Sequence, residues 1–288
     1  MTLCIAAACR HDGQSAVVTC ADWQVTGPQL AADDYYKLRH YPNATIMISG
    51  ELAAADDFCF DLQEAIKDCN VIAQADGEFE QRVGRYLERL RGAARVRKRI
   101  RAGHQIAMKY GLSLDSFYNN VSLKMPKWLY KRIIDEIQEV QLDVHTIVVY
   151  SGDRQLLILR TGPRGGMFWE RNYTAIGSGA LIANTVLCQT PHDSNMSLLN
   201  CLTRVVTAKA SAERDPYVGR NTSLGIILGD GNRYDVSNDV WQYLMQRVRT
   251  PAVIPARDDD AQMDLLGRRL QDSEAGQARY TSDPHMQF

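Results

Sequence analysis

Leu3-Cys4-Ile5-Ala6-Ala7-Ala8-Cys9-Arg10-His11-Asp12-Gly13-Gln14-Ser15-Ala16-Val17-Val18-Thr19-Cys20-Ala21-Asp22 decides the fold. Small and apolar residues run from Leu3 to Ala8, polar turn formers occupy 10–14, and the apolar run resumes from Ala16 to Ala21. That pattern predicts a β-hairpin. Two registers are open. A two-residue Asp12-Gly13 turn sets Leu3 opposite Asp22, and a three-residue loop with left-handed Gly13 sets Thr2 there. In either register Asp22 returns within about one strand step of the chain's amino end.

Outward from the hairpin, Thr26-Gly27-Pro28 opens a polar loop leading to Tyr35-Tyr36-Lys37-Leu38, and Ala44 to Ile48 reads as a strand ending at Ser49-Gly50. Helical spacing begins at Leu52 and runs to Cys69. Further helices are expected over Glu78–Arg91, with basic residues continuing to Arg101, and over Lys127–Val140. Val144–Tyr150 and Gln155–Arg160 flank a turn at Ser151-Gly152-Asp153-Arg154, and Met167–Ile176 is expected to extend that sheet. Helices over 180–187 and 198–211, a hairpin over 224–236 and a helix over 238–248 complete the pattern. After Thr250, Pro251, Pro255, Asp258-Asp259-Asp260, Gly276 and Pro284 mark a polar tail, expected to be disordered over 250–288. Strands, helices, strands, helices and strands in that order predict one α+β domain over 1–249 with helices outside packed sheets.

The chain has 288 residues, of which 45% are hydrophobic and 23% charged, and its net charge is −1. Such balance gives no global field to recruit nucleic acid or a membrane surface. No apolar run reaches the roughly 20 residues a membrane helix needs. Seven cysteines without a CxxC pair fit reduced thiols and a cytoplasmic location. The histidines are dispersed and Cys4 and Cys9 fall on opposite faces of one strand, so no metal and no cofactor is implied. Gly162-Pro163-Arg164-Gly165-Gly166 lacks the Lys-Ser/Thr ending of a phosphate loop and reads as a turn. The basic residues Arg82, Arg85, Arg89, Arg91, Arg95, Arg97, Lys98, Arg99 and Arg101 carry almost no interleaved aromatics, which favours a solvated or subunit-contact face over a nucleic-acid one.

Chemistry concentrates at the amino end. With Met1 removed, Thr2 carries a hydroxyl nucleophile and a free α-amine on one residue, and an amine with a reference pKa of about 7.7–8.0 is partly neutral near pH 7. Such an amine takes the hydroxyl proton directly or through water. Threonine is small enough for ordinary methionine removal, so no long propeptide is expected.

The ordered set Thr2, Ala21-Asp22-x-x-Val25-Thr26, Lys37, Ser49-Gly50, Ala175-Ile176-Gly177-Ser178-Gly179 and Asp215-Pro216-Tyr217-Val218-Gly219 resembles proteasome β-type subunits, which are N-terminal nucleophile hydrolases. The resemblance spans Thr2 to about Val248, with an enlarged helical segment around 93–125. It implies a four-layer α/β/β/α sandwich: two packed antiparallel sheets flanked by helices. It also implies a threonine peptidase that hydrolyses peptide bonds through a Thr2 acyl-enzyme and assembles as a homo-oligomeric ring. By the same resemblance Asp22 holds Lys37, Ser178 and Asp215 complete the set around the amine, and the Gly50 N–H serves the oxyanion. Val25, Thr26, Tyr35, Arg39, Ile48 and Leu52 would line the substrate pocket, with preference for a large apolar side chain. Peptides or proteins are the expected substrates, and an unfoldase is a possible partner of unspecified kind. Val218 departs from the family, which has a serine there; valine neither donates nor accepts a hydrogen bond. A non-catalytic ring subunit and an amidase acting on a small non-peptide amide are the alternatives.

Overall fold

Alternation in the first hairpin fixes what lies on each side of it. In a computed structural model, β1 (Leu3–His11) and β2 (Gln14–Asp22) pair antiparallel, from Cys4 opposite Ala21 to His11 opposite Gln14. Asp12 and Gly13 take φ of 46° and 79°, the left-handed pair that a two-residue turn demands. The structure thus selects the first of the two registers. The structure describes residues 3–23, 25–26, 31–32, 37–73, 79–121, 124–142, 144–152, 154–189 and 192–249. The tail over 250–288 lies outside them.

Two five-stranded sheets form. The first has the order β10-β1-β2-β11-β12, with β10 at Tyr173–Gly177, β11 at Thr222–Leu228 and β12 at Arg233–Asp235. The second has the order β5-β6-β7-β8-β9, with β5 at Leu38–Tyr41, β6 at Ala44–Gly50, β7 at Val144–Gly152, β8 at Gln155–Thr161 and β9 at Met167–Glu170. A two-stranded ribbon joins β3 (Val25–Thr26) to β4 (Ala31–Ala32). Met167–Ile176 is therefore two strands rather than one. Only β9 extends the second sheet; the chain bends at Arg171-Asn172, and β10 pairs with β1 in the first.

One compact unit comprises the described residues of 3–49, Ile147–Ile158 and those of 170–249. In it the period-2 alternation sorts side chains cleanly. Leu3, Ile5, Ala7 and Cys9 of β1 face one core with Val18 and Cys20 of β2. Against that face pack α5 (Ala180–Gln189), α6 (Leu198–Ala212) and α7 (Asn238–Arg249), through Leu187, Leu202, Val205, Val206, Trp241 and Leu244. Cys4 and Ala6 face the other way, onto Leu38, Met47, Ile147, Val149 and Ile158 of the second sheet. The result is an α+β sandwich of two packed antiparallel sheets with helices on the outside, as the sequence predicts. Small residues in β1 suit a strand buried on both faces.

The second unit, Gly50–Thr146 with Leu159–Trp169, carries α1 (Leu52–Ala73), α2 (Phe79–Tyr110), the short α3 (Leu114–Ser116) that continues as a π-helical turn over Phe117–Val121, and α4 (Lys127–Glu139). Helix α2 runs 19 residues past the expected end at Arg91 and closes at Gly111, whose φ of 67° suits the left-handed cap. Its basic residues reach other helices. Arg97 binds Asp57 and Asp61 of α1 at 2.8 Å each, and Lys109 binds Glu136 of α4 at 2.7 Å. Ala102, Ile106, Phe117 and Ile133 form the apolar centre beneath.

Two outcomes follow from this packing. A Cβ on Gly229 would sit 2.5 Å from the Arg154 carbonyl oxygen, a backbone atom that has no rotamer to escape into. Gly229→Ala is expected to lower unfolding free energy by about 1–3 kcal/mol in chemical denaturation. His192 is buried, its Nε2–H donates to the Ala8 carbonyl at 2.7 Å, and its Nδ1 has no partner among the described residues. Burial, reinforced by Arg204, lowers its pKa although the Ala8 bond and Asp193 oppose this. A folded-state value below the unfolded one means that its stability contribution is complete above about pH 6.5 and is lost as pH falls toward the folded value. His192→Gln should flatten that part of the acid limb in pH-resolved denaturation, and parallel curves would contradict it.

Candidate active site

A carboxylate closing a central strand needs donors if it is to be buried. Asp22 is fully buried at the end of β2, and three donors among the described residues converge on it. The Leu3 backbone N–H reaches Oδ1 at 3.0 Å, a direct consequence of the two-residue turn. Lys37 Nζ reaches the same oxygen at 2.6 Å and is itself 4% exposed. The Gly219 N–H reaches Oδ2 at 2.8 Å. Lys37 precedes β5, and its carbonyl accepts from the Ile48 N–H at 3.1 Å, which ties the lysine's backbone to β6. Asp22 and Lys37 thus form a buried ion pair.

Three chain segments meet around Leu3. Gly177 lies opposite Leu3 in the β1–β10 ladder, so the turn that follows, carrying half-buried Ser178, sits beside the start of β1. A Cβ on Gly179 would lie 2.7 Å from Val218 Cγ2, 3.2 Å from Ala212 Cβ and 3.5 Å from Leu3 Cδ1. Glycine is what lets these side chains close together. Val218 is buried in the helix-side core, where a serine would have only its hydroxyl to place.

Asp215 takes a different position from Asp22. Its Oδ1 accepts from the Tyr217 N–H at 2.9 Å and its carbonyl from the Val218 N–H at 3.0 Å, so it builds the loop that delivers Gly219. Gly50 ends β6 with φ of 129°, a conformation that favours glycine. Arg39 is half-buried on β5 and Ile48 is buried on β6. Val25 and Thr26 form β3 and Leu52 begins α1; their side chains, and the whole of Thr2 and Tyr35, lie outside the described residues.

The nearby thiols are held protonated. Burial raises the Cys4 pKa far above its ordinary value, against the opposing pull of Lys37, and pushes Cys20 up to about 12. Neither is a thiolate nucleophile at neutral pH. Among the described residues no cluster of His, Cys, Asp and Glu is arranged to hold a metal ion. A cavity of about 690 Å³ opens beyond the ends of β2 and β11, walled by Trp23, Arg220, Ser223, Asp235 and Trp241; Asp22, Lys37, Ser178 and Asp215 do not line it. Burial raises the Asp235 pKa there.

The backbone donors Leu3 N–H and Gly219 N–H escape a reading of side-chain types, since no residue identity encodes them. Lys209, whose Nζ donates to the Gly219 carbonyl at 2.6 Å, did leave a signal: it is a lysine at a core phase of the apolar stripe Leu198, Leu202, Val205, Ala212.

No protein-family model matches the chain. It is 40% identical over 70 residues to a proteasome subunit beta of Methanocaldococcus jannaschii, and 39% identical over 70 residues to that of Methanocaldococcus vulcanius. Each match covers 24% of this chain and 31% of the relative, so the chain spans about a third of the length of the curated relatives it matches. Among solved structures, a Gly-1 mutant of Anbu from Hyphomicrobium sp. strain MC1 superposes with a TM-score of 0.56 at 15% identity, covering 92% of this chain and 96% of that one. The two packed sheets with helices outside agree with that superposition. The chain therefore has the proteasome-like N-terminal nucleophile hydrolase fold and, over 70 residues, the sequence likeness of a proteasome β subunit.

Proposed function

We propose that the protein is a proteasome-like threonine peptidase acting through an N-terminal Thr2. The observation that carries this reading is the Leu3 N–H on Asp22 Oδ1. That amide is the one joining Leu3 to Thr2, and the same carboxylate oxygen holds Lys37 at 2.6 Å, so the buried ion pair is tied to the residue beside the nucleophile. The Thr2 amine takes the hydroxyl proton as Oγ attacks the amide carbonyl carbon. The tetrahedral intermediate collapses, the leaving amine takes the proton, and an ester remains on Thr2. Water, deprotonated by the same amine, then hydrolyses the ester. Lys37 lowers the amine's pKa and favours the negative charge developing on oxygen. Gly50 N–H receives the oxyanion, Ser178 and Asp215 orient the amine end, and Arg39, Ile48, Val25, Thr26, Tyr35 and Leu52 receive the substrate side chain. The protein works in the cytoplasm as a homo-oligomeric ring, with residues 1–249 as its hydrolase domain.

Buried Val218 favours one second reading, a structural subunit of the same fold, because the loop offers no hydroxyl where the family has one. Intact mass and a threonine-directed covalent probe separate the two. The peptidase reading requires loss of Met1, labelling at Thr2, and no labelling or turnover in Thr2→Ala at unchanged stability. A mature Thr2 terminus without labelling would favour the structural subunit.

Activity is expected to rise with pH at a midpoint at or below about 7.7–8.0, since a neutral amine is the base and Lys37 lowers its pKa. Asp22→Asn leaves Lys37 buried without its counter-charge and is expected to lower unfolding free energy by about 3–5 kcal/mol together with loss of turnover. Fluorogenic peptides with a large apolar residue before the scissile bond should outpace basic ones, and equal turnover would contradict that preference.

A further inference from the structure

The buried charges around Asp22 continue past Lys37. Lys209, on the last turn of α6, has a fully buried side chain. Burying an ammonium is costly unless it is matched by charge and hydrogen bonds. Its Nζ donates to Glu213 Oε1 at 2.8 Å and to the Gly219 carbonyl oxygen at 2.6 Å. Gly219 is thus gripped on both sides: its carbonyl by Lys209, and its N–H by Asp22 Oδ2 at 2.8 Å. Buried Lys37, Asp22 and Lys209 and partly buried Glu213 thus form two ion pairs joined through that glycine. Val218 next to it has its side chain in the core, so residue 218 offers no side-chain hydrogen bond to steady the loop.

We propose that Lys209 is a positioning residue: by holding the Gly219 carbonyl it fixes the Gly219 N–H on Asp22, and so fixes the direction in which Asp22 presents Lys37. A carboxylate's terminal torsion is broad and roughly two-fold, so its setting depends on what binds each oxygen. Among the described residues Oδ1 receives Leu3 and Lys37, and Oδ2 receives Gly219. Releasing Gly219 lets the carboxylate turn while the Lys37 bond follows it. The kinetic consequence rests on the peptidase reading; the structural consequence does not.

The test uses the full chain with Lys209→Met and Glu213→Gln combined, which removes both charges so that neither is left buried and unpaired, and fills the lysine's space with a thioether. Hydrogen exchange resolved by NMR should show Gly219 N–H exchanging at least about tenfold faster than in the wild type, while Val18 in β2 is unchanged. With Thr2-dependent turnover, kcat should fall by about tenfold or more at a KM within about twofold, and the pH midpoint of kcat should move up toward that of a free amine. Unchanged Gly219 exchange in the folded double variant overturns the proposal. So does faster Gly219 exchange with kcat and its pH midpoint unchanged in an active enzyme, which would make Lys209 structural only. If the wild type has no Thr2-dependent turnover, the peptidase reading fails while Gly219 exchange still decides the clamp. The wild type alone supplies a further measure. The Lys209 ammonium protons should be protected from water and correlated across the hydrogen bond to the Gly219 carbonyl, and a freely exchanging ammonium overturns the proposal without any variant having to fold.

Discussion

A carboxylate with no exposure to water, closing the second strand of the central hairpin, is the constraint on which the rest of this protein depends. Asp22 is tolerated there because a lysine ammonium and two backbone N–H groups from separate parts of the chain arrive at it. Each donor requires a different structural feature. Leu3 requires the hairpin register, Lys37 requires the second sheet to pack on the first, and Gly219 requires the loop after α6. The buried ion pair is weak evidence of net stability, because desolvation offsets much of its attraction. Its value is in specifying which three segments must come together, and where.

The loop that delivers Gly219 shows how a site can be supported from behind. Asp215 is used to shape the loop through the Tyr217 N–H, and the second oxygen of Asp22 is met by backbone rather than by a side chain. A backbone donor is held by the geometry of its neighbours, so precision at Asp22 comes from residues that never touch it. The core stripe of α6 is where that support is anchored, which places a polar task on the apolar face of a helix.

The sandwich was legible in the sequence because its signals are local. Alternation of Leu3, Ile5 and Ala7 against Cys4 and Ala6, and Asp12-Gly13 as a turn, suffice to place both faces of β1. What escaped were features that depend on partners distant in the chain. Met167–Ile176 reads as one apolar run, and only pairing shows that its second half belongs beside β1. The end of α2 was set too early because a run of like charge reads as an unfavourable helix surface; Arg97 and Lys109 instead find carboxylates on α1 and α4. At the site, the hairpin pattern places Asp22 beside the amino end and Lys37 is singled out only by the family resemblance, whereas Leu3 N–H and Gly219 N–H carry no identity to read. Lys209 was readable in principle as a charge at a buried helix phase.

The contact between Gly179 and Val218 has a consequence for how this chain can change. The two positions lie far apart in the sequence yet share one small volume, with Val218 Cγ2 filling the space that any larger residue at 179 would occupy. Substitution at either one alters what the other tolerates, so their effects on fitness are not independent. A lineage that exchanged valine for serine at 218 would gain a hydroxyl and leave a gap against Gly179. A serine at 218 is therefore first a change in the packing of the core and only then a new hydroxyl in the loop.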